Sequence, residues 1–275
     1  MAIAATLVLP CFVQAEEYPY SVGLGFEFYS GKYGTDIRTD SIYAPLTITA
    51  SPTERLGLSI EIPFVYQSNR NVLSSVATGG MQGGRTMKQL AVGPGGMPGP
   101  GSGMTSPSST STNQSESGLG DITLKIGYLL VPETDLMPQI RPMAFVKFPT
   151  ADENKALGTG EFDEGFSVEV SKWFGDWNPF AEAGYTVQGK SSQLPLKNYL
   201  TCNAGVGYQL AENFRPLLLV KGFTAPADGA SGLLEVRLKL KYQATDRTGI
   251  EGYLAKGVTT NSPDYGTGLS VFYVF

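Results

Sequence analysis

The stretch at 56–66 reads LGLSIEIPFVY, and every second residue in it is large and apolar. The residues between them are mostly small or polar, and they include Glu61. A period of two predicts a β-strand with one apolar face and one polar face. In a soluble β-sandwich the apolar face points inwards, whereas in a membrane barrel it points outwards to lipid. The function depends on which of these two folds the chain adopts.

The same alternation recurs along the chain in segments of about ten residues, a length typical of transmembrane strands. We count twelve segments, centred on residues 20–29, 42–48, 56–66, 121–130, 140–148, 166–174, 180–188, 200–210, 214–224, 234–242, 249–258 and 265–275. Short connections such as SPTER at 51–55 alternate with longer ones such as 149–161. Bacterial outer-membrane barrels show this pattern, with an even strand number, short periplasmic turns and longer extracellular loops.

Nearly all charged residues of these segments fall on the polar face, which would line the lumen of a barrel. The candidate lumen-lining residues are Glu27, Glu61, Asp121, Lys125, Arg141, Lys147, Glu169, Glu182, Arg215, Lys221, Glu235, Arg237, Lys239, Lys241 and Glu251. Only Lys172 and Lys256 lie on the apolar face, near segment ends. A soluble sandwich would show the same partition with its charges in solvent, so other features must decide.

Three features favour lipid on the apolar face. The sequence ends in GLSVFYVF, whose Tyr273 and Phe275 share the outward face and resemble the aromatic signal that the barrel-assembly machinery recognises. Aromatic residues gather at segment ends, where interfacial girdles lie. The segment length also matches a tilted span of the bilayer. The sequence therefore predicts an all-β fold, a transmembrane antiparallel up-and-down β-barrel of about twelve strands in the bacterial outer membrane, in contact with lipid and lipopolysaccharide.

Composition excludes several classes of function. The net charge is −5 without a basic patch, so nucleic acid is not expected as a partner. Histidine is absent, which removes the commonest general base and metal ligand, and no spacing of carboxylates singles out a catalytic pair. The two cysteines, Cys11 and Cys202, are too few for a disulfide framework. We expect no catalytic residue, no cofactor and no metal site, and therefore no enzyme.

Two segments outside the strand pattern have unusual composition. Residues 1–15 have an apolar core and a small-residue ending, which predicts a signal peptide before a single barrel at 16–275. The missing basic region suggests that the recorded start is truncated, and an apolar first strand is the alternative. Residues 67–117 are rich in glycine, methionine, proline and serine, which predicts a long extracellular loop without stable order. Its methionines could be copper(I) ligands, but their irregular spacing favours scatter.

Two motifs resemble a known family. The first is SGLGD at 117–121, followed by an alternating strand that ends in GYLL at 127–130. The second is VKFPTAD at 146–152, with LGTG at 157–160 downstream. In this order they resemble the outer-membrane transporter family named for the meta-cleavage pathway of phenol degradation. The resemblance implies a β-barrel that moves small solutes, often aromatic compounds, across the outer membrane.

Charged residues in and near these motifs have two interpretations each. Asp121 and Lys147 would meet on the lumen face near the extracellular end, as a structural ion pair or as selectors of solute. An acidic group is predicted on the adjacent outer loop, either solvated or recruiting divalent cations near lipopolysaccharide. Its members are Asp152, Glu153, Glu161, Asp163 and Glu164.

The leading functional hypothesis is a channel for passive passage of small, including aromatic, solutes, whose identity the sequence does not specify. The alternative is a structural barrel scaffold that binds a surface, periplasmic or electron-carrying partner.

Overall fold

The computed structural model describes residues 20–33, 36, 38–68, 115–191, 195–228 and 230–275 of the chain. The predicted signal peptide at 1–15 and residues 69–114 of the predicted long loop lie outside these described residues. No helix in the described ranges is long and apolar enough to cross a membrane.

The described residues form β-strands and one short 3-10 helix at Glu153–Lys155. The strands are β1 (Tyr20–Gly31), β2 (Thr39–Ala50), β3 (Leu56–Gln67), β4 (Glu116–Leu119), β5 (Ile122–Tyr128), β6 (Gln139–Phe148), β7 (Asp163–Ser171), β8 (Trp177–Gln188), β9 (Tyr199–Tyr208), β10 (Phe214–Phe223), β11 (Leu233–Gln243), β12 (Thr248–Gly257) and β13 (Tyr265–Val274).

The strands form one antiparallel sheet that closes on itself. Each strand pairs with its neighbours in the chain, and β13 pairs with β1. The ring has twelve positions, because β4 and β5 follow one another along the same side of β3. Closure satisfies the backbone polar groups of all strands, which lipid could not do. The predicted antiparallel barrel of about twelve strands is confirmed.

A β-bulge interrupts the fourth position of the ring. Phe64 pairs with Leu119 and Glu61 pairs with Thr123, so the strand opposite β3 carries one extra residue between these pairs. Gly120 lies in this bulge, and a side chain there would collide with β3. The bulge falls within the SGLGD motif, where strand periodicity alone predicts no break.

The apolar face of the wall points outwards and the charged face points inwards. Leu24 and Leu124 on the outside are 63% and 44% exposed, whereas Glu27 and Arg215 inside are 0% exposed. Burial of charged groups is costly unless they are paired, so the interior must be an organised polar network. This inside-out distribution is the one that a lipid-embedded barrel requires.

The sixth predicted strand is displaced in the structure. It begins at Asp163 rather than Phe166 and ends at Ser171. Phe174 and Trp177 form a bridge in the turn that follows. The predicted end at Phe174 is wrong because aromatic residues at the rim prolong the apolar pattern beyond the strand. The placement of Asp163 and Glu164 in an acidic outer loop is also wrong, since both belong to β7, where Asp163 is buried and Glu164 is exposed.

The two ends of the barrel differ in their connections. We call the end with the loops at 32–38, 149–162, 189–198, 224–232 and 258–264 the outer rim. We call the opposite end, which carries the turns at 51–55, 172–176, 209–213 and 244–247, the inner rim. In outer-membrane barrels the longer loops are extracellular, which assigns the outer rim to the cell surface.

One connection at the inner rim, 129–138, is longer than its neighbours. It is held to the neighbouring turn at 172–176 by three hydrogen bonds. The Glu133 carboxylate accepts the backbone N–H of Trp173 at 2.8 Å, and the Lys172 ammonium donates to the carbonyls of Thr134 and Asp135 at 2.8 and 2.9 Å. The two hydrogen bonds of Lys172 explain why a lysine stands at the end of an otherwise apolar face.

Candidate functional site

The candidate site is the interior of the barrel. The structure places the predicted lumen-lining residues there, with Asp121 and Lys125 partly exposed and the others buried. The buried ones are Glu27, Glu61, Arg141, Lys147, Glu169, Glu182, Arg215, Lys221, Glu235, Arg237, Lys239, Lys241 and Glu251. All but Arg141 and Glu169 fall into three groups along the barrel, which we call the outer cluster, the middle belt and the inner cluster.

The outer cluster consists of Lys147, Asp121 and Asp163. The Lys147 ammonium lies 2.7 Å from Asp163 Oδ2 and 3.1 Å from Asp121 Oδ2, and it donates to Thr159 Oγ1 at 3.1 Å. Asp163 stands directly opposite Lys147 in the β6–β7 ladder, and the other oxygen of Asp121 accepts the N–H of Ala151. One buried cation is thus shared between two carboxylates and the loop that follows β6.

That loop, residues 149–162, folds over the interior, and we call it the mouth loop. Its Leu157 is buried against Val65 and Ala151. The buried side-chain amide of Gln67 donates to the carbonyls of Lys155 and Ala156 at 3.3 and 3.1 Å. Val65 and Gln67 belong to β3, whereas the mouth loop leaves from β6, so the loop reaches back over the position of β4 and β5.

The mouth loop also contacts the far side of the rim. Ala156 packs together with Ala227, Leu196 and Ala230, which belong to the loops before β9 and after β10. β3 and β10 are six positions apart in the ring of twelve, that is, on opposite walls. Ala156 has a left-handed backbone with φ of 54°, a conformation that costs energy for a non-glycine residue. The tight turn that results carries the loop from one wall to the other.

A row of polar side chains crosses the middle of the barrel. Its members lie side by side on six consecutive strands: Arg141, Glu169, Glu182, Asn203, Lys221 and Glu235. The row begins near the inner rim on β6 and ends near the outer rim on β11, because the strands are staggered around the ring. Glu169 and Glu182 are like charges in directly paired positions, an arrangement that is unfavourable without compensation.

Glu27 anchors the opposite wall of the middle belt. Its Oε2 accepts the hydroxyls of Tyr29 and Tyr253 at 2.6 and 2.7 Å. The Arg237 guanidinium lies 4.6 Å from the centroid of the Tyr253 ring and donates to Glu235 at 2.5 Å. Gly266 and Gly268 on β13 make room for the two tyrosine rings, because a Cβ at either position would overlap them. The alternation in the sequence predicts that Glu27, Glu235 and Arg237 face the interior, but it does not predict that tyrosine hydroxyls bind Glu27.

Glu61 completes the middle belt, in which we include Glu27, Glu61, Lys125, Glu182, Lys221, Glu235 and Arg237. Both oxygens of Glu61 are occupied. Oε1 accepts the hydroxyl of Tyr43 at 2.6 Å, and Oε2 accepts the Lys125 ammonium at 3.1 Å. The Glu61 carboxylate is therefore paired through both of its oxygens with neighbouring side chains of the wall.

The inner cluster is made of Arg215, Lys239, Lys241 and Glu251. The Glu251 carboxylate pairs with Lys239 and with Lys241, the latter at 3.2 Å. Arg215 stacks 5.5 Å from the ring of Trp173 at the inner rim. Here one carboxylate is shared between two lysines, so the cluster has surplus positive charge.

Acidic and basic side chains both line the interior of the barrel. Within the described residues, no group of three or more aspartate, glutamate, cysteine or histidine side chains is arranged to hold a metal ion. Asp121 and Lys147 do form an ion pair, and it closes the structure around the mouth loop.

The C-terminal aromatic residues lie on the outside of the barrel at the inner rim. Tyr273 and Phe275 are exposed, and their rings meet edge to face with centroids 5.2 Å apart. The backbone N–H of Phe275 donates to the carbonyl of Tyr20 at 3.0 Å, which fastens the last residue to the first strand. Both rings therefore remain available on the lipid side.

Solved structures with the same architecture come from outer membranes. An outer membrane channel of Pseudomonas putida F1 is similar at a TM-score of 0.65 and 15% identity, over 98% of this chain and 100% of that chain. The KdgM porin, solved in complex with oligogalacturonate, is similar at a TM-score of 0.54 and 9% identity, over 93% of this chain and 99% of that chain. At these identities the likeness shows the fold, an outer-membrane β-barrel.

The translocator domain of the autotransporter NalP from Neisseria meningitidis has a TM-score of 0.50 at 9% identity, over 95% of this chain and 90% of that chain. No curated protein sequence matches the chain. Residues 19–275 match a family described as "Putative MetA-pathway of phenol degradation".

Proposed function

We propose that this chain, which belongs to the family described for the MetA pathway of phenol degradation, is an outer-membrane channel for the passive passage of small solutes. The localisation follows from the fold, since the chain is a β-barrel of the bacterial outer membrane. The observation that carries the proposal is the inside-out wall, with leucines such as Leu24 facing lipid and charged side chains such as Arg215 facing the interior. A polar interior enclosed by a closed barrel is the arrangement that conducts water-soluble molecules.

The mouth loop supports passage of small rather than large solutes. Leu157 and Ala156 extend it from one wall of the outer opening to the other. A solute entering from outside would pass beside this loop and then meet the middle belt. The phenol-degradation family and the tyrosine rings beside Glu27 support aromatic compounds as part of the solute range.

A planar-bilayer recording tests the channel directly. The full chain, refolded into lipid, should produce discrete ion currents, and liposomes containing it should take up small neutral solutes faster than empty liposomes. Freeing the mouth loop by Leu157→Ser should raise the current, because a polar residue no longer packs against Val65 and Ala151. Leu136→Ser is the matched control, since Leu136 is 90% exposed at the inner rim. If a correctly folded barrel shows no current and no solute flux, the result contradicts the channel and favours a scaffold.

Assembly and membrane contacts complete the proposal. Tyr273 and Phe275 would be read by the barrel-assembly machinery, and their exposure on the outer face supports this role. The apolar outer wall would contact lipid, and the outer rim would contact lipopolysaccharide. Removal of both rings by Tyr273→Ala and Phe275→Ala should lower the amount of folded barrel in the membrane, measured by surface labelling, without changing the current per molecule.

A further inference from the structure

The outer wall carries an open groove of about 520 Å³ over strands β2, β3, β5 and β6. Small-molecule sites have volumes of roughly 300 to 1,000 Å³, so the groove is large enough for a ligand. Strand pairing places its apolar lining in two parallel rows, each with one residue from each of the four strands. The row nearer the outer rim is Ile48, Ile60, Leu124 and Val146, and the row nearer the inner rim is Ala50, Leu58, Ile126 and Ala144.

The groove has a floor between these two rows. Ser59, Lys125 and Phe145 form it, and they occupy the register position between the apolar rows. Because side chains alternate along a strand, these three point towards the interior and leave their backbone at the outer surface. The row nearer the inner rim has a small side chain at each end, Ala50 and Ala144, where a larger residue would fill the space.

The groove begins at the inner rim and rises into the wall. Ala50 is the last residue of β2, at the inner rim, whereas Ala144 is the sixth of the ten residues of β6. A row that follows the strand pairing climbs through the wall in this way because barrel strands are staggered. The groove therefore runs from the surface of the periplasmic leaflet towards the middle of the bilayer, which is the direction of a lipid acyl chain.

A cation stands where the headgroup of such a lipid would lie. Arg55 is the last residue of the inner-rim turn at 51–55, which follows Ala50 directly, and it is exposed. It is three residues from Leu58, about 10 Å along an extended strand. Guanidinium groups bind phosphate through paired hydrogen bonds and opposite charge. The phospholipids of the periplasmic leaflet combine this phosphate with the acyl chain that the groove fits.

Van der Waals contact, rather than the hydrophobic effect, decides what fills the groove. The outer wall already faces an apolar solvent, so removal from water contributes nothing there. An acyl chain in the groove contacts both rows and the floor, whereas a chain on a flat wall has protein on one side only. A chain in the groove should therefore exchange more slowly than the other lipids around the barrel.

From this geometry we infer that the groove binds one acyl chain of a periplasmic-leaflet phospholipid, whose phosphate lies at Arg55. The inference goes beyond the proposed channel, because it concerns the outer wall and stands whether or not the interior conducts.

Native mass spectrometry tests the site on the full chain, extracted by detergent from vesicles of phosphatidylethanolamine and phosphatidylglycerol. We expect the natural chain to retain one phospholipid at a detergent concentration that removes the others. Ala144→Phe should weaken this binding about tenfold in a lipid titration, because the ring fills the groove. Ala183→Phe is the matched control, since Ala183 is exposed on the outer face of β8, outside the groove.

Three results would overturn the site. The first is a natural chain that retains no phospholipid, and the second is equal retention by Ala144→Phe and Ala183→Phe. The third is a complex of two chains that Ala144→Phe dissociates, which would mean that a second copy fills the groove. Should Ala144→Phe fail to fold, Ala50→Phe at the other end of the same row gives the same test.

The headgroup contact has a test of its own. Arg55→Gln should weaken phospholipid binding about threefold, because an exposed charge pair contributes little. Glu54→Gln is the matched control, since Glu54 is exposed in the same turn but does not attract phosphate. Equal binding by these two variants would overturn the contact at Arg55.

Discussion

The outer and inner clusters each pair one central buried ion with two ions of opposite charge, and the sign of the central ion differs between them. At the outer end one buried cation, Lys147, is held between two carboxylates, Asp121 and Asp163. At the inner end one buried carboxylate, Glu251, is held between two cations, Lys239 and Lys241. Each group of three satisfies its central ion while leaving surplus charge, negative outside and positive inside.

The difference between the clusters lies in what each central ion holds in place. Lys147 also binds Thr159 of the mouth loop, so the outer cluster couples an ion pair to the shape of the opening. Within the described residues, the ion-pair partners of Glu251 are Lys239 and Lys241, both on the neighbouring strand β11. Similar ion networks therefore have different consequences: the outer one fixes the mouth loop, whereas the inner one pairs side chains of the wall.

The largest effect is expected from Lys147→Met, which removes the central cation of the outer cluster. Asp121 and Asp163 would then face each other unpaired in a buried site, which costs about 3 to 5 kcal/mol of unfolding free energy. The mouth loop would lose its contact at Thr159, so the bilayer current should also rise. Urea unfolding in lipid vesicles and single-channel recording measure the two effects.

The control for this change is Lys197→Met. Lys197 pairs with Asp228 at the outer rim, but both side chains are largely exposed, so stability and current should stay close to those of the natural chain. Equal losses in the two variants would show that burial of the ion network does not decide its contribution.

The next effect is expected from Glu251→Gln, which removes the central anion of the inner cluster. The glutamine carbonyl still accepts a hydrogen bond from a lysine, so the loss should be smaller, about 3 kcal/mol. Lys239, Lys241 and Arg215 would be left with more surplus positive charge. The reversal potential in a salt gradient should therefore shift towards anion preference, and a shift towards cations would contradict the proposed role.

A smaller effect is expected from Asp163→Asn, which removes one flank of the outer cluster. Lys147 keeps Asp121 and Thr159, and the asparagine oxygen can still accept, so the cost should be about 1 to 3 kcal/mol. Urea unfolding measures it, and Asp228→Asn at an exposed position is the matched control. A loss as large as that of Lys147→Met would mean that the two carboxylates do not share the cation.

The smallest effect is expected from Lys172→Met, outside both clusters. Its ammonium donates to two backbone carbonyls at the inner rim, but in an exposed position, so the cost should be about 1 kcal/mol or less. Proteolysis of the connection at 129–138 is the sensitive measurement, and faster cleavage with unchanged global stability is expected. Global destabilisation would show that this rim contact supports the wall as a whole.

Much of the fold follows from alternation alone. Residues such as Leu124 and Lys125 differ by one position, and the wall therefore assigns them to opposite faces whatever their partners are. The same rule places Glu27, Arg215 and Lys239 on the inner face of three different strands. Strand ends are less determined, as β7 shows, because rim aromatics continue the apolar pattern.

The alternating pattern of the sequence predicts only part of the candidate site. Alternation indicates that Lys147 faces inwards, but it does not say that Asp163 stands opposite, since that depends on the register of β6 with β7. The mouth loop has no period at all, so Leu157 and Thr159 carry no signal in the sequence beyond their motif. The tyrosine hydroxyls on Glu27 likewise depend on two glycines of a third strand.

By itself the sequence determined which side chains share a face, because the side-chain direction of a strand depends only on parity along the chain. The segment length and the aromatic residues at segment ends then favoured lipid on the apolar face. Tertiary structure alone decided which charges meet. Ring closure and stagger bring residues from opposite ends of the sequence, such as Tyr29 and Tyr253, to the same carboxylate. The bulge at Gly120 and the left-handed turn at Ala156 then shape the mouth, because they depend on contacts between strands and not on any repeat within one.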